Sequence, residues 1–210
     1  RRARIADVMP KGGLLFTGGL RRTEPGETPV EIWNSLLTLN DQGNIIAFYD
    51  KSHLVPFGEY LPFRKTLDSL FGEGSIKKIT AGTKDFTAGS GPKSISLPEG
   101  FPSFSGLVCY EVIFPCAIIN LNQNRPGWVI NVTNDAWYGK TSGPYQHFEI
   151  ARFRAIEEGV PLVRVANSGI SAVFDAYGRN MGSIGLEKQG ILDVFLPSPT
   201  RFVPLYGQWR

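Results

Sequence analysis

Cysteine is scarce in this sequence: Cys109 and Cys116 are the two among 210 residues. Two cysteines cannot hold a disulfide framework for a chain of this size. Seven residues apart on one strand–helix unit, they stand too far apart to bridge. Histidine is equally rare, with His53 and His147 alone, and neither has a Cys or His neighbour at the spacing of a metal site. No metal and no cofactor is expected. There is no apolar run of about 18 residues, so no segment of this chain is long enough to span a bilayer. No signal-like segment opens it. The net charge is +3, and the basic runs are no longer than Arg1-Arg2 and Lys77-Lys78, which argues against nucleic acid as a partner. The sequence also lacks a Gly-x-Ser-x-Gly elbow, a phosphate-binding glycine loop, internal repeats and low-complexity tracts.

What remains fits one domain with a real core. Hydrophobic residues make up 42% of the chain, with 24 glycines and 15 prolines, the profile of many turns and short strands. RRARIADVMPKGG reads as a helix end leading into a strand, so the chain is expected to be a piece of a longer protein. GGLLFTGG (Gly12 to Gly19) is a buried strand, and Glu24 to Pro29 a polar loop. Ile32–Asn40 and Ile45–Tyr49 form a hairpin around DQGN. Val55–Phe63 is an aromatic loop, and Pro62 starts a short helix through Phe71. Residues 72–102 are irregular, with a short strand at Ser94–Leu97.

The second half alternates more regularly. Phe104–Cys109 is expected as a strand and Glu111–Leu121 as a helix, then Trp128–Thr133 as a strand. Ser142 is a candidate N-cap for a helix ending near Gly159, with Glu149–Arg152 and Arg154–Glu158 as its charge pairs. Leu162–Ala166, Ser171–Asp175, a strand after the turn Ala176–Asn180, and Ile191–Leu196 complete the set. Hairpins mixed with strand–helix–strand units predict an α/β fold with mixed sheets and helices outside.

Cys109 falls where an apolar strand ends and the expected helix begins. Unpaired N–H groups and a positive helix end favour the thiolate and could hold an oxyanion. On the residues alone a small buried hydrophobe is the commoner explanation of such a cysteine, and still more so of Cys116. Lys51 ends the strand IIAFYD, beside the aromatic loop that holds Glu59. A cation there serves developing carbonyl charge, or is an ordinary solvated lysine. Glu59 orients that lysine, acts on protons, or caps loop amides. Glu111 is a candidate catalytic acid or a first-turn helix acid. Asn134, Asp135 and Trp137 follow a strand in a glycine-containing loop, a usual place for binding residues, and His147 lies on the next helix.

Together, YDKSHLVPFGEYLPF, GLVCYEVIFP and VINVTNDAWYGKTSGPYQHFEIARFRAIEEGVPLVRVANSGISAVFDAYG resemble the apolipoprotein N-acyltransferases of bacteria. These form a family within the carbon–nitrogen hydrolase (nitrilase) superfamily, and the likeness runs from Gly12 to Tyr206. It implies a nitrilase-type α-β-β-α sandwich over residues 1–210, incomplete at its N-terminus. This domain would lie on the periplasmic (outer) face of the inner membrane and be joined to membrane-spanning segments. By the same resemblance Cys109 is the nucleophile, Lys51 the catalytic lysine and Glu59 a required glutamate. Tyr110 and Glu111 follow the nucleophile, and Asn134, Trp137 and His147 support the site. The implied partners are a phospholipid acyl donor and a diacylglyceryl apolipoprotein acceptor. The general-base glutamate would lie on a strand upstream of GGLLFTGG; Glu24, Glu27 and Glu31 are misplaced for it, so the chain alone is expected to be inactive.

Two rivals stand beside this. A soluble nitrilase-type amidase would use the same residues with water as acceptor. A binding domain would keep the fold without chemistry. Phe57, Tyr60, Phe63, Trp137 and Tyr138 near the site favour a lipid over a small amide, and the combination of Cys109, Lys51 and Glu59 favours an enzyme.

Overall fold

The structure, a computed structural model, describes residues 5–72, 78 and 84–209. Arg1-Arg2, Lys77 and parts of the irregular segment expected over 72–102 lie outside the described residues. Residues 5–6 are helical, as the end of a helix would be.

Two β-sheets face each other. β1 (Leu15–Arg22), β2 (Ile32–Leu39) and β3 (Ile45–Asp50) form an antiparallel meander. β4 (Ser94–Ile95), β5 (Phe104–Val108), β6 (Trp128–Asn134), β7 (Leu162–Asn167), β8 (Ser171–Phe174) and β9 (Asn180–Ile184) form a mixed sheet in sequence order. Its centre, β5–β6–β7, is parallel and its flanks are antiparallel.

One core lies between the sheets, with Leu36 and Tyr49 against Phe104, Val108, Trp128 and Ile130. The sheets meet closely because Gly106 has no side chain: a Cβ there would stand 2.9 Å from Leu36 Cδ2. A second core lies behind the large sheet, where Leu107, Val129 and Leu162 meet Ala151 and Ala155 of a 16-residue helix, Gly143–Glu158. β5 is buried along its whole length because it is covered on both sides. The shorter helices are α1 (Arg64–Phe71) and, after the Gly143–Glu158 helix (α2), α3 (Leu205–Trp209). No described helix is long and apolar enough to cross a membrane.

Several local expectations need correction. The strand expected as buried over Gly12 to Gly19 runs instead over Leu15–Arg22 with no fully buried residue. Pro62 precedes α1, which begins at Arg64, and Cys116, expected as a small buried hydrophobe, is exposed. The helix expected over Glu111–Leu121 is a five-residue 3-10 turn, Cys109–Ile113. Pro115 explains this: it holds Phe114 in an extended conformation (φ −84, ψ 113) and ends the turn. Ser142 precedes α2 but is already helical (φ −70, ψ −17) and makes no capping bond; the Thr141 hydroxyl accepts the Gly143 N–H instead. Arg154 pairs with Glu157, one residue earlier than expected, whereas Arg152–Glu149 forms as expected. Ile191–Leu196 makes no strand: Leu192 packs beside Gly182 of β9, while Ile191 and Phe195 point outward, without a ladder.

Candidate active site

The two sheets bring the end of β3 and the end of β5 to the same edge of the inter-sheet core. Lys51 immediately follows β3 and is 1% exposed. Its Nζ donates to Glu59 Oε2 at 2.6 Å. The same Glu59 oxygen accepts the Val55 N–H, and its other oxygen accepts from Asn34 Nδ2. The aromatic loop therefore folds back so that its carboxylate meets the buried cation, which leaves neither charge uncompensated.

Cys109 directly follows β5 and has φ 56. That left-handed conformation costs a non-glycine residue about 1–2 kcal/mol, and it persists only where its surroundings fix it. Both flanks are fixed. Glu111 Oε2 accepts the Val108 N–H, and Asn131 Nδ2 donates to the Cys109 carbonyl at 3.3 Å. Because the turn after Cys109 has only five residues, local N–H groups rather than a helix dipole remain available to the thiol.

Glu111 is buried and belongs to both halves of the site. While Oε2 holds Val108, Oε1 accepts from the Tyr49 hydroxyl, the Ser52 N–H and hydroxyl, and the His53 N–H, all within 3.0 Å. One carboxylate thus ties the residue after Lys51 to the residue before Cys109. Burial, and then the negative charge of Glu111, push the Tyr49 hydroxyl far above its usual range, so it stays a donor. With every oxygen occupied by donors, Glu111 is a brace. The first-turn role read from the sequence is too small for it.

The supporting residues divide. Tyr110 packs edge-on against Phe114, and Phe114 stacks on His53, so an aromatic cluster joins the turn to the Lys51 loop. Asn134 caps the 3-10 turn Asp135–Tyr138 by accepting the Ala136 N–H. Trp137 on that turn is 64% exposed. His147 is buried, and its Nδ1 lies 2.9 Å from Asp135 Oδ1. Burial would raise the Asp135 carboxyl, but the His147 hydrogen bond and the charge of Arg164 outweigh it and hold Asp135 below its usual value. An ionised carboxylate only accepts, so His147 Nδ1 carries the hydrogen. Gly169 makes room for Asp135, since a Cβ there would stand 2.3 Å from Oδ2. Burial is the first cause that pushes the Tyr138 hydroxyl above its usual range, and its ring packs edge-on near His147. Glu24 and Glu27 lie on the exposed β1–β2 loop, where Glu27 accepts the Glu24 N–H.

Sequence reasoning passed over Asn131, Arg164, Asn34 and Tyr49. For two of these a signal existed: Asn131 and Arg164 interrupt the otherwise apolar runs WVINV and LVRVA, and a polar group in a buried strand needs partners. Among the described residues no three His, Cys, Asp or Glu side chains gather as a metal site requires.

Comparison with known proteins bears on this geometry. The Carbon-nitrogen hydrolase family model matches residues 3–200. Apolipoprotein N-acyltransferase of Rhodopseudomonas palustris is 45% identical over 199 residues, 94% of this chain and 36% of that protein. Its counterpart in Bradyrhizobium diazoefficiens is 47% identical over 198 residues, 93% of this chain and 36% of that protein. In Brucella melitensis the figure is 44% over 208 residues. The chain thus spans about a third of the length of these relatives. Among solved structures, a glutamine-dependent NAD+ synthetase from Acinetobacter baumannii superposes with a TM-score of 0.64 at 17% identity, over 90% of this chain and 32% of that one. An amidase from Nesterenkonia sp. superposes with a TM-score of 0.57 at 22% identity, over 100% of this chain and 68% of that one. These two show the fold alone.

Proposed function

The chain belongs to the carbon–nitrogen hydrolase family, and from that premise we propose that it is the catalytic domain of a longer membrane-bound apolipoprotein N-acyltransferase. The observation that carries the reading is the shared brace: Glu111 joins a strained Cys109 turn to a buried Lys51–Glu59 pair. The names of the relatives favour acyl transfer over amide hydrolysis. So does the exposure of Phe57, Phe63, Leu70, Phe71 and Trp137 on the aromatic loop, α1 and the Trp137 turn, a surface suited to lipid.

In the proposed first step the Cys109 thiolate attacks an ester carbonyl of a phospholipid. A C–S bond forms, the ester C–O bond breaks, and a lysophospholipid leaves with a proton. Lys51 and the N–H groups after Cys109 stabilise the oxyanion, and Glu59 holds Lys51 in place. In the second step the free α-amine of a diacylglyceryl apolipoprotein attacks the thioester. An amide forms, the amine gives up a proton, and Cys109 is released. We assign the proton transfers to a glutamate of the longer protein, not to Glu24, Glu27 or Glu31. The domain works at the outer face of the inner membrane.

The test is to incubate the full-length protein with phospholipid and no acceptor, then map the acyl group by mass spectrometry. An acyl group on Cys109, absent from Cys109→Ser, is expected. Acylation of Cys116, or none, overturns the assignment. Turnover of a small amide with no transfer from phospholipid would favour the amidase.

A further inference from the structure

We propose that Arg164 is a positioning residue for Cys109 and acts through the side-chain amide of Asn131. The inference rests on the reading of Cys109 as the nucleophile. Leu107, Asn131 and Arg164 are register partners on the parallel strands β5, β6 and β7, so they form one row across the sheet. The row ends two residues before Cys109.

Arg164 is 1% exposed, and its guanidinium is fixed from three directions. Nη1 donates to Asn131 Oδ1 at 2.5 Å, Nη2 to Asp135 Oδ2 at 2.6 Å, and Nε to the Ile170 carbonyl at 3.2 Å. A guanidinium only donates, so it holds the oxygen of the Asn131 amide towards itself and the NH2 away. The NH2 then meets the carbonyls of Leu107 and Cys109, at 3.4 and 3.3 Å. A flipped amide would set its oxygen against those carbonyl oxygens. Arg164 thereby fixes which way Asn131 points, and Asn131 holds the carbonyl of a cysteine whose left-handed backbone needs holding.

A simple stability role accounts poorly for this row. Apolar side chains would fill the same space without desolvating a cation and a carboxylate, often at no loss of stability. What the ionic row adds is direction. Asp135 neutralises Arg164, and His147 and Thr133 hold Asp135 in turn, so the row is anchored at its far end as well.

The test uses the full-length protein, with iodoacetamide as the probe and Cys116 as an internal reference. Alkylation needs neither acyl donor nor acceptor. Arg164→Lys keeps the charge and loses the fork, and Asn131→Ala removes the amide. In each, alkylation of Cys109 in folded protein is expected to slow by about 10-fold or more, with Cys116 unaffected, since small misplacements of a reacting group are costly. kcat should fall with it, with KM for phospholipid unchanged. The double variant should be no slower than Asn131→Ala alone, because one route is lost once. A purely structural Arg164 would lower Tm and leave the Cys109 rate of the folded protein intact, and that result overturns the proposal. Additive losses overturn the route through Asn131. If Arg164→Lys does not fold, a wild-type rate in folded Asn131→Ala is sufficient to reject it. A wild-type Cys109 that reacts no faster than Cys116 and takes up no acyl group would instead sink the nucleophile reading on which the proposal stands.

Discussion

Glu111 Oε2 accepts the backbone N–H of Val108 at 2.8 Å, so the residue just before the candidate nucleophile is held by the residue two places after it. The other Glu111 oxygen holds Ser52, His53 and Tyr49, beside Lys51. Glu111→Gln replaces one acceptor oxygen by a donor. Whichever way the amide turns, a donor faces donors on one side, and the brace opens. The expected cost is about 1–3 kcal/mol, the scale of an unsatisfied buried group. Turnover should drop by more than that loss of folded protein explains. Urea unfolding alongside single-turnover acylation measures both, and a variant equal to wild type in the two would remove Glu111 from the site's framework.

Lys51 is 1% exposed and bonded to Glu59. Lys51→Arg keeps the charge, but a planar fork cannot sit where a compact ammonium does. Activity is expected to fall by about 10²-fold, the scale for losing one oxyanion donor. Lys51→Met should destabilise by about 3–5 kcal/mol, because Glu59 is left buried and uncompensated. Adding Glu59→Gln to Lys51→Met should restore stability and not activity. Recovery of activity in that double variant would return Lys51 to a structural role.

Strands were legible in the sequence where alternation or an apolar run between glycines set them, as in β2, β3, β5 and β6. The turn after Cys109 was misread because apolar spacing over 111–121 resembles a helix, whereas Pro115 alone decides otherwise. Ile191–Leu196 was misread because its apolar residues Leu192 and Val194 pack against Gly182 of β9 without hydrogen bonding to it. The neighbourhood of Lys51 and Glu59 could be anticipated because they lie eight residues apart around one loop. The reach of Glu111 to Ser52 and Tyr49 could not, because it spans about 60 positions and exists only once the sheets have stacked. Asn131 and Arg164 were visible as polar breaks in apolar strands, but their partners depend on strand order.

The helix α1 has no buried residue, and Phe63, Leu70 and Phe71 are exposed along and beside it. In the proposed enzyme this surface meets lipid. Phe63→Ser with Phe71→Ser should reduce kcat/KM on phospholipid vesicles by about 10²-fold, each losing about 1.5 kcal/mol of apolar contact. Tm should stay the same, because neither ring supports the core. Equal activity of the double variant on vesicles would show that lipid is met elsewhere.

Asp135 gives the fold a pH dependence whose sign is set by its partners. Its carboxyl lies below the usual value in the folded protein, because His147 and Arg164 favour the ionised form more than burial opposes it. The unfolded chain titrates near pH 4. Between the two values the unfolded state binds more protons, so stability rises with pH in that window. The contribution is complete above about pH 4 and is lost as the pH falls through the folded value. Asp135→Asn removes the titration. Its unfolding free energy should be lower than wild type at pH 7, because Arg164 then lacks its counter-charge. It should also fall less steeply below pH 4, so that the two curves converge in acid. The pair Arg64–Asp85 has the same sign, since the Arg64 hydrogen bond lowers Asp85, but both side chains are about a quarter exposed. Its contribution should shrink as salt is added, while that of Asp135 persists. Urea midpoints from pH 3 to 7, at low and high salt, decide the matter. Parallel curves for wild type and Asp135→Asn would mean that Asp135 is not held in its ionised form by this network.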